Sequence, residues 1–234
     1  GILLTNLTSI RYLSGFTGSA ASCLITTDGS YFISDGRYDV QSKEQVKGLD
    51  RFIDFGTHIS IIDKNNLIPN GLTLGFESDH TSVSQFKAMQ DTFSNVNWES
   101  TSMLMENLQA VKDQSELDAI RTAVEITDAI YEEIIPMLKV GTTEKEVAIQ
   151  LVTRYRQESD GEAYSPIVAG GPNSALPHAV PGNRLFEKGD FIVIDAAAKI
   201  AGYHADMTRT PVVGEASGKH REIYNIVKEA QQAG

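Results

Sequence analysis

The sequence predicts an α/β unit followed by an α+β unit that two helices lead. In the first hundred residues, short apolar runs alternate with helical patterns, and after residue 164 the chain changes to strands and Gly/Pro-rich turns. A length of 234 residues with 41% hydrophobic content suffices for one large domain or two modest ones. We place the boundary in the polar stretch before Asp113, which gives units 1–108 and 109–234.

The first unit carries a clear hairpin signal. The runs SCLITT and SYFIS flank Asp28-Gly29, and an Asp-Gly pair between two β-rich runs predicts a tight turn. RFIDF and LTLGFE read as further strands, and 38–46 and 81–93 read as helices. The second of these helices has four apolar residues at near-helical spacing: Val83, Phe86, Met89 and Phe93.

Three helices are predicted in the second unit, two at its start and one at its end. Asp113–Glu116 and Thr143–Glu146 each have the form of a capping box, which marks a helix start. The expected inward positions are Leu117, Ile120, Val124, Tyr131, Ile134 and Leu138 in the first helix, and Val147, Leu151 and Tyr155 in the second. A last helix is predicted over 217–232, with Ile223, Val227 and Ala230 inward.

Charge and cysteine content exclude several classes of protein. A formal net charge of −11 argues against binding to nucleic acid or to an anionic membrane, because both need a basic face. The single cysteine, Cys23, excludes a disulfide framework and a thiolate metal cage, and its apolar surroundings predict a buried strand residue. No apolar run approaches the roughly 18 residues of a membrane span, and we expect a cytoplasmic location.

Two aspartates in FIVIDAAAKIAGYHADMTRT form the candidate site. Asp195 ends an apolar strand, and a turn centred between Ile200 and Ala201 would place it directly opposite Asp206, with Cβ atoms roughly 4.5–5.5 Å apart. A loop shifted by one residue onto Gly202 stays open, because Ile200-Ala201 is unfavourable for a tight turn. Carboxylates this close repel unless a cation lies between them. The alternative is an ordinary hairpin with one solvated and one turn aspartate.

Longer blocks of the sequence resemble a known family. SPIVAGGPNSALPHAVPGNR, GDFIVIDAAAKIAGYHADMTRT and EIYNIVKEAQQA are similar to the catalytic domain of the pita-bread metallopeptidases, the family of creatinase, aminopeptidase P and prolidase. RYLSGFTGSAASCLITTDGSYFISDGRY looks like the N-terminal domain of that family. The resemblance implies a creatinase-type α/β domain followed by part of an α+β pita-bread domain.

The resemblance also assigns residues to a site. It implies that Asp195 and Asp206 are ligands of two divalent metal ions, with manganese the first choice and cobalt or zinc as alternatives. It implies that His178, in Pro177-His178-Ala179, is a catalytic residue that binds substrate near the scissile carbonyl and stabilises the developing oxyanion. His204, between the aspartates, is a further substrate-binding candidate.

The family match is incomplete. The family completes its metal site with motifs of the form H-G-x-G-H, E-P-G and R-x-E. In the family these motifs lie downstream of the region that these 234 residues cover. Family members also usually carry Gly or an aromatic residue where this chain has Ala196-Ala197. We therefore expect a fragment that lacks both ends of the full protein and is inactive alone.

The implied function is that of an Xaa-Pro aminopeptidase acting on proline-containing peptides. Prolidase, which cleaves Xaa-Pro dipeptides, is the near alternative. A non-catalytic module that binds peptides or proteins, and a creatinase-like hydrolase without metals, are alternatives that the two aspartates disfavour. The resemblance further implies a homodimer, in which Phe16–Ser19 and Asp35–Tyr38 are the stretches expected near the partner's active site.

Overall fold

A computed structural model describes all residues, 1–234. The chain divides into two compact units, Gly1–Val111 and Lys112–Gly234. A boundary after residue 108 would fall inside a helix that covers Leu104–Ala110. None of the helices is both long enough and apolar enough to cross a lipid bilayer.

The first unit is built on one six-stranded sheet. Its strands are β1 Ile2–Leu4, β2 Ser22–Ile25, β3 Ser30–Ser34, β4 Asp50–Ile53, β5 Thr73–Glu77 and β6 Asn97–Thr101, in the spatial order β4-β3-β2-β1-β5-β6. The predicted hairpin at Asp28-Gly29 is confirmed, because β2 and β3 pair antiparallel and the Thr26 N–H donates to the Gly29 carbonyl at 2.9 Å. β1 pairs antiparallel with β2 and parallel with β5, which makes the sheet mixed.

Five helices cover the two faces of this sheet. They are α1 Leu7–Ser14, α2 Asp39–Gln45, α3 His58–Lys64, α4 Val83–Thr92 and α5 Leu104–Ala110. Neighbouring strand residues belong to different apolar clusters, Leu3 to one and Leu4 to the other, as strand alternation requires. Val83 joins neither cluster and is 87% exposed, because it is the first residue of α4, beside the capping Ser82.

Cys23 is fully buried in β2, as predicted. Burial, with a smaller contribution from the nearby Glu77 carboxylate, raises the pKa of its thiol to about 12. The thiol therefore stays protonated at neutral pH and is a packing residue rather than a nucleophile.

The second unit places helices against a small antiparallel sheet. Its elements are α6 Gln114–Ile134, α7 Glu144–Glu158, β7 Ile167–Gly170, β8 Ile192–Asp195, β9 Lys199–Ile200, β10 Tyr203–His204, β11 Thr208–Arg209 and α8 Gly218–Ala233. The sheet order is β11-β8-β7, and β9 and β10 form a separate hairpin. Both predicted capping boxes are present, at Asp113–Glu116 and at Thr143–Glu146.

The core of the second unit lies between α6, α7 and the sheet. Val147, Leu151 and Tyr155 are all fully buried, which confirms the predicted stripe on α7. On α6 the prediction is confirmed near the end of the helix, where Tyr131 and Ile134 are buried. It is wrong at the start, where Leu117 is 37% exposed. Thr127 is fully buried on the same helix, because its hydroxyl is satisfied by hydrogen bonds to the Ala123 carbonyl and the Ala198 N–H.

The final helix differs from the prediction. α8 has no buried residue, and Ile223 and Val227 are 40% and 63% exposed. The two side chains lie on one face of the helix, but that face stays exposed to solvent. The prediction that Ile223, Val227 and Ala230 point inward was therefore wrong.

Candidate active site

The hairpin around the two aspartates adopts the alternative register, in which the turn is shifted by one residue onto Gly202. Lys199 pairs with His204 and Ile200 with Tyr203, so the turn is Ala201-Gly202 rather than Ile200-Ala201. Consequently Asp195 lies opposite Thr208, and the prediction that it lies directly opposite Asp206 was wrong. The physical reason is that both turn residues have positive φ, +51° at Ala201 and +85° at Gly202, a conformation that glycine accommodates.

The shift nevertheless leaves both carboxylates on one face. A one-residue displacement of the turn moves each cross-strand partner by two positions, and side chains alternate faces with a period of two. The Ala205 N–H donates to the Ala198 carbonyl and the Ala196 N–H to the Met207 carbonyl, so the pairing continues past the hairpin. Asp195 and Asp206 thus become diagonal neighbours, which still interact across a sheet.

Tyr164 joins the two aspartates. Its hydroxyl donates to Asp195 Oδ1 at 2.5 Å and lies 3.1 Å from Asp206 Oδ1. Both carboxylate oxygens are therefore within 3.1 Å of one phenolic oxygen. Burial first, and then the hydrogen bond to Asp195, raise the pKa of Tyr164, so its hydroxyl keeps its proton. One hydroxyl proton thus serves two acceptor groups, and two carboxylates this close favour a cation between them.

Tyr131 fixes the backbone behind the carboxylates. Its buried hydroxyl donates to the Met207 carbonyl at 2.8 Å and accepts from the Ala196 N–H at 3.1 Å. These are the residues that directly follow Asp206 and Asp195. Ala196, Ala197 and Ala198 are fully buried, and their small side chains let α6 approach closely enough for these contacts. Through Tyr131, the α6 helix thereby holds both of the segments that carry the aspartates.

His178 forms no hydrogen bond or ion pair with either carboxylate. It is exposed, in a turn closed by the Ala179 N–H donating to the Leu176 carbonyl at 3.2 Å, and its ring makes no hydrogen bond. Its role toward substrate stays a prediction.

His204 is also not joined to the carboxylates by a hydrogen bond. It lies across the hairpin from Lys199, and partial burial together with that ammonium group lowers the pKa of the His204 ring. Strand alternation places the His204 side chain on the same face as that of Asp206, and His204 lies nearer the turn. Its predicted role in substrate binding likewise stays a prediction.

The donor set suits part of a metal site. Two carboxylates on one face, close enough to share a hydroxyl, are the hard oxygen ligands that manganese and magnesium prefer. No group of three or more His, Cys, Asp and Glu side chains in the chain is placed to hold a metal ion. Asp195 and Asp206 therefore fit a divalent cation as two of its ligands.

Two residues of the site had not been recognised in the sequence. Tyr164 contacts partners 31 and 42 residues away, and Tyr131 contacts partners 65 and 76 residues away, so no local spacing indicates either role. Tyr131 gave only an apolar helical period, which predicted its burial and not its hydrogen bonds. Tyr164 gave a weak signal, since it directly precedes the strand block that resembles the family.

Comparison with known proteins identifies the family of both units. The family model of the creatinase/prolidase N-terminal domain matches residues 1–111, and that of metallopeptidase family M24 matches residues 118–234. An uncharacterized peptidase of Bacillus subtilis is 34% identical over 100% of this chain and 67% of its own length.

Two solved structures resemble both units. An Xaa-Pro dipeptidase from Bacillus anthracis has a TM-score of 0.92 and 38% identity, over 99% of this chain and 65% of that one. An X-Pro aminopeptidase from Thermotoga maritima has a TM-score of 0.89 and 34% identity, over 99% of this chain and 67% of that one. The chain spans about two-thirds of the length of these proteins. By sequence and by fold, this chain belongs to metallopeptidase family M24, with a creatinase/prolidase N-terminal domain preceding part of the pita-bread domain.

Proposed function

We propose that the full-length protein is a metal-dependent peptidase that hydrolyses the bond preceding proline, as an Xaa-Pro aminopeptidase. The observation that carries the proposal is the convergence of Asp195 and Asp206 on Tyr164. Family membership implies divalent metal ions, and we propose manganese, because both donors are hard carboxylate oxygens. When bound, such ions polarise a carbonyl and lower the pKa of water.

The side chains of this chain have separate tasks in this proposal. Asp195 and Asp206 hold the metal, and Tyr164 keeps the two carboxylates at a fixed separation. His178 contacts the scissile carbonyl and stabilises the oxyanion as charge develops on it. His204 lines the substrate side of the hairpin. A homodimer and a cytoplasmic location belong to the same proposal.

An Xaa-Pro dipeptidase is the second candidate, and the 38% identical dipeptidase structure favours it. The two functions differ in the length of the substrate. We would assay the full-length protein with manganese on an Xaa-Pro dipeptide and on a longer peptide that begins Xaa-Pro. An aminopeptidase cleaves the longer peptide, whereas a dipeptidase cleaves only the dipeptide. Binding of both peptides without hydrolysis would instead indicate a non-catalytic module.

The 234 residues alone are expected to show little hydrolysis. Two carboxylates supply too few ligands for a pair of divalent ions, each of which takes about six. Robust hydrolysis by residues 1–234 with added manganese would contradict the view that further ligands are needed.

A further inference from the structure

Glu144 is a buried carboxylate that the proposed reaction does not use. It is the first residue of α7 and only 1% exposed. Its Oε1 accepts from the Gly170 N–H and from Asn173 Nδ2, both at 2.9 Å, and its Oε2 accepts from the Gly182 N–H at 3.0 Å. A buried charge is costly unless hydrogen bonds satisfy it, and here three N–H donors do so.

The three donors bracket the segment that carries His178. Gly170 ends β7, Asn173 follows it, and Gly182 lies on the other side of the histidine. The first turn of α7 adds a second attachment, because the Lys145 N–H donates to the Gly182 carbonyl at 3.0 Å. Both ends of the segment 171–183 are therefore tied to the start of one helix.

The middle of this segment is held by bonds within the segment itself, from the Leu176 N–H to the Asn173 carbonyl and from the Ala179 N–H to the Leu176 carbonyl. The His178 ring and the apolar Val180 are exposed, and Val180 is 86% accessible. An ion pair between Arg184 and Asp190, at 2.6 Å, fixes the chain only beyond the segment. The place of His178 thus depends on the ends that Glu144 holds.

Only a carboxylate can accept at all three positions. A glutamine in the same rotamer has one oxygen and one NH₂ group, and the NH₂ would face an N–H donor. If the amide oxygen keeps Gly170 and Asn173, the Gly182 N–H loses its acceptor. The isosteric change therefore releases one end of the segment without altering side-chain volume.

We propose that Glu144 is a positioning residue of the active site, which fixes the segment 171–183 and thereby the place of His178. This inference rests on the proposed function, since it concerns the placement of the residue that would contact the scissile carbonyl. Glu144 itself touches neither substrate nor metal in this account. Its effect on the reaction comes only through the segment 171–183.

The test is a double-mutant cycle in the full-length protein with manganese, assayed on an Xaa-Pro peptide. The variants are Glu144→Gln, His178→Ala and the double variant. Glu146→Gln is the matched control, because this exposed carboxylate lies in the same helical turn and accepts only from Thr143. Asn173→Ala, which removes one donor to Glu144, is the second variant if Glu144→Gln does not fold.

Glu144→Gln is expected to lower kcat/KM about 10- to 100-fold, mainly through kcat, since small misplacements of a catalytic group have effects of that order. In the His178→Ala background the same change is expected to have almost no further effect. Amide exchange should quicken at Gly182 and across the loop, and Glu146→Gln should match the wild type.

Equal losses from Glu144→Gln in the presence and absence of His178 would overturn the inference, as would a loss no greater than that of Glu146→Gln. A wild type that hydrolyses no Xaa-Pro peptide would refute the proposed function as well. Hydrolysis with additive losses would refute the positioning role alone.

Discussion

Tyr131 shows how a single hydroxyl sets the geometry of the site. It bonds the backbone after Asp195 and the backbone after Asp206, so the two aspartates are positioned by one residue of α6. A carboxylate at a strand end moves with its backbone, and the separation of the pair therefore depends on this contact. Sequence periodicity predicted that Tyr131 is buried, but it held no information on which carbonyl the hydroxyl would meet.

Tyr131→Phe removes this contact and leaves the ring. We expect the second unit to lose about 1–3 kcal/mol of stability, because the Met207 carbonyl becomes a buried acceptor without its strongest donor. Hydrogen exchange of the β8 amides measures the loss in that unit. Tyr224→Phe, at a 52% exposed position, is the control and should leave exchange unchanged. Equal exchange in both variants would show that the contact contributes nothing.

His58 gives the first unit a pH dependence with a definite sign. Burial lowers the pKa of its ring below the usual 6.5, although Asp35 opposes this, and Ser22 Oγ lies 2.8 Å from His58 Nδ1. The unfolded chain then binds a proton that the folded unit resists, so this part of the stability is complete above pH 6.5 and is lost as the pH falls below it.

We therefore expect urea unfolding of the first unit to occur at lower urea at pH 5.5 than at pH 7.5. Trp98 fluorescence reports on this unit alone, because the chain has one tryptophan. In His58→Gln the difference between the two pH values should shrink, since glutamine does not titrate. A His58→Gln variant with the wild-type pH dependence would contradict the assignment to His58.

At the scale of elements, the turn between β9 and β10 sets the register of the site. Ala201 and Gly202 both have positive φ, the pattern of a type I′ turn, in which Asn-Gly is preferred. Alanine has no intrinsic reason to adopt this conformation, and the Ala201 N–H is held there by Asp160 Oδ2 at 2.8 Å. Gly202 accommodates the turn by itself, whereas Ala201 is held in it by the contact with Asp160.

Ala201→Asn should stabilise the second unit by about 0.5–1 kcal/mol, because asparagine tolerates the left-handed region better than alanine. Gly202→Ala should have the opposite effect, at a cost of about 1–2 kcal/mol. Thermal unfolding measures both, and the two variants serve as controls for each other since both positions are exposed. Shifts of the same sign would contradict the assignment of the turn.

The elements also show what the sequence could and could not predict. The capping boxes at Asp113 and Thr143 were predictable because a cap and its partner lie within one turn of helix. The hairpin register was not, because Ala201 favours neither turn and Asp160, which settles it, lies far along the chain. The prediction of a buried face on α8 was wrong for a related reason, because an apolar stripe is buried only where another element covers it.

The fold class followed from the alternation of apolar runs and from the family resemblance. Each unit has its own hydrophobic core, and the six-stranded sheet of the first unit has one cluster on each face. The pair of aspartates was predictable, because Asp195 ends a strand and Asp206 follows it closely, between two short strands. The contacts of Tyr164 and Glu144 were not, because they join segments that only the folded chain brings together.

Asp195 and Asp206 are proposed to be ligands of the same metal site. Manganese titration of the full-length protein, followed by calorimetry, tests it directly with Asp195→Asn, Asp206→Asn and the exposed control Asp118→Asn. We predict that each site variant weakens manganese binding about 10- to 100-fold or more, because each replaces a charged carboxylate ligand with a neutral amide, while the control binds as the wild type does. Wild-type affinity in both site variants would contradict the account.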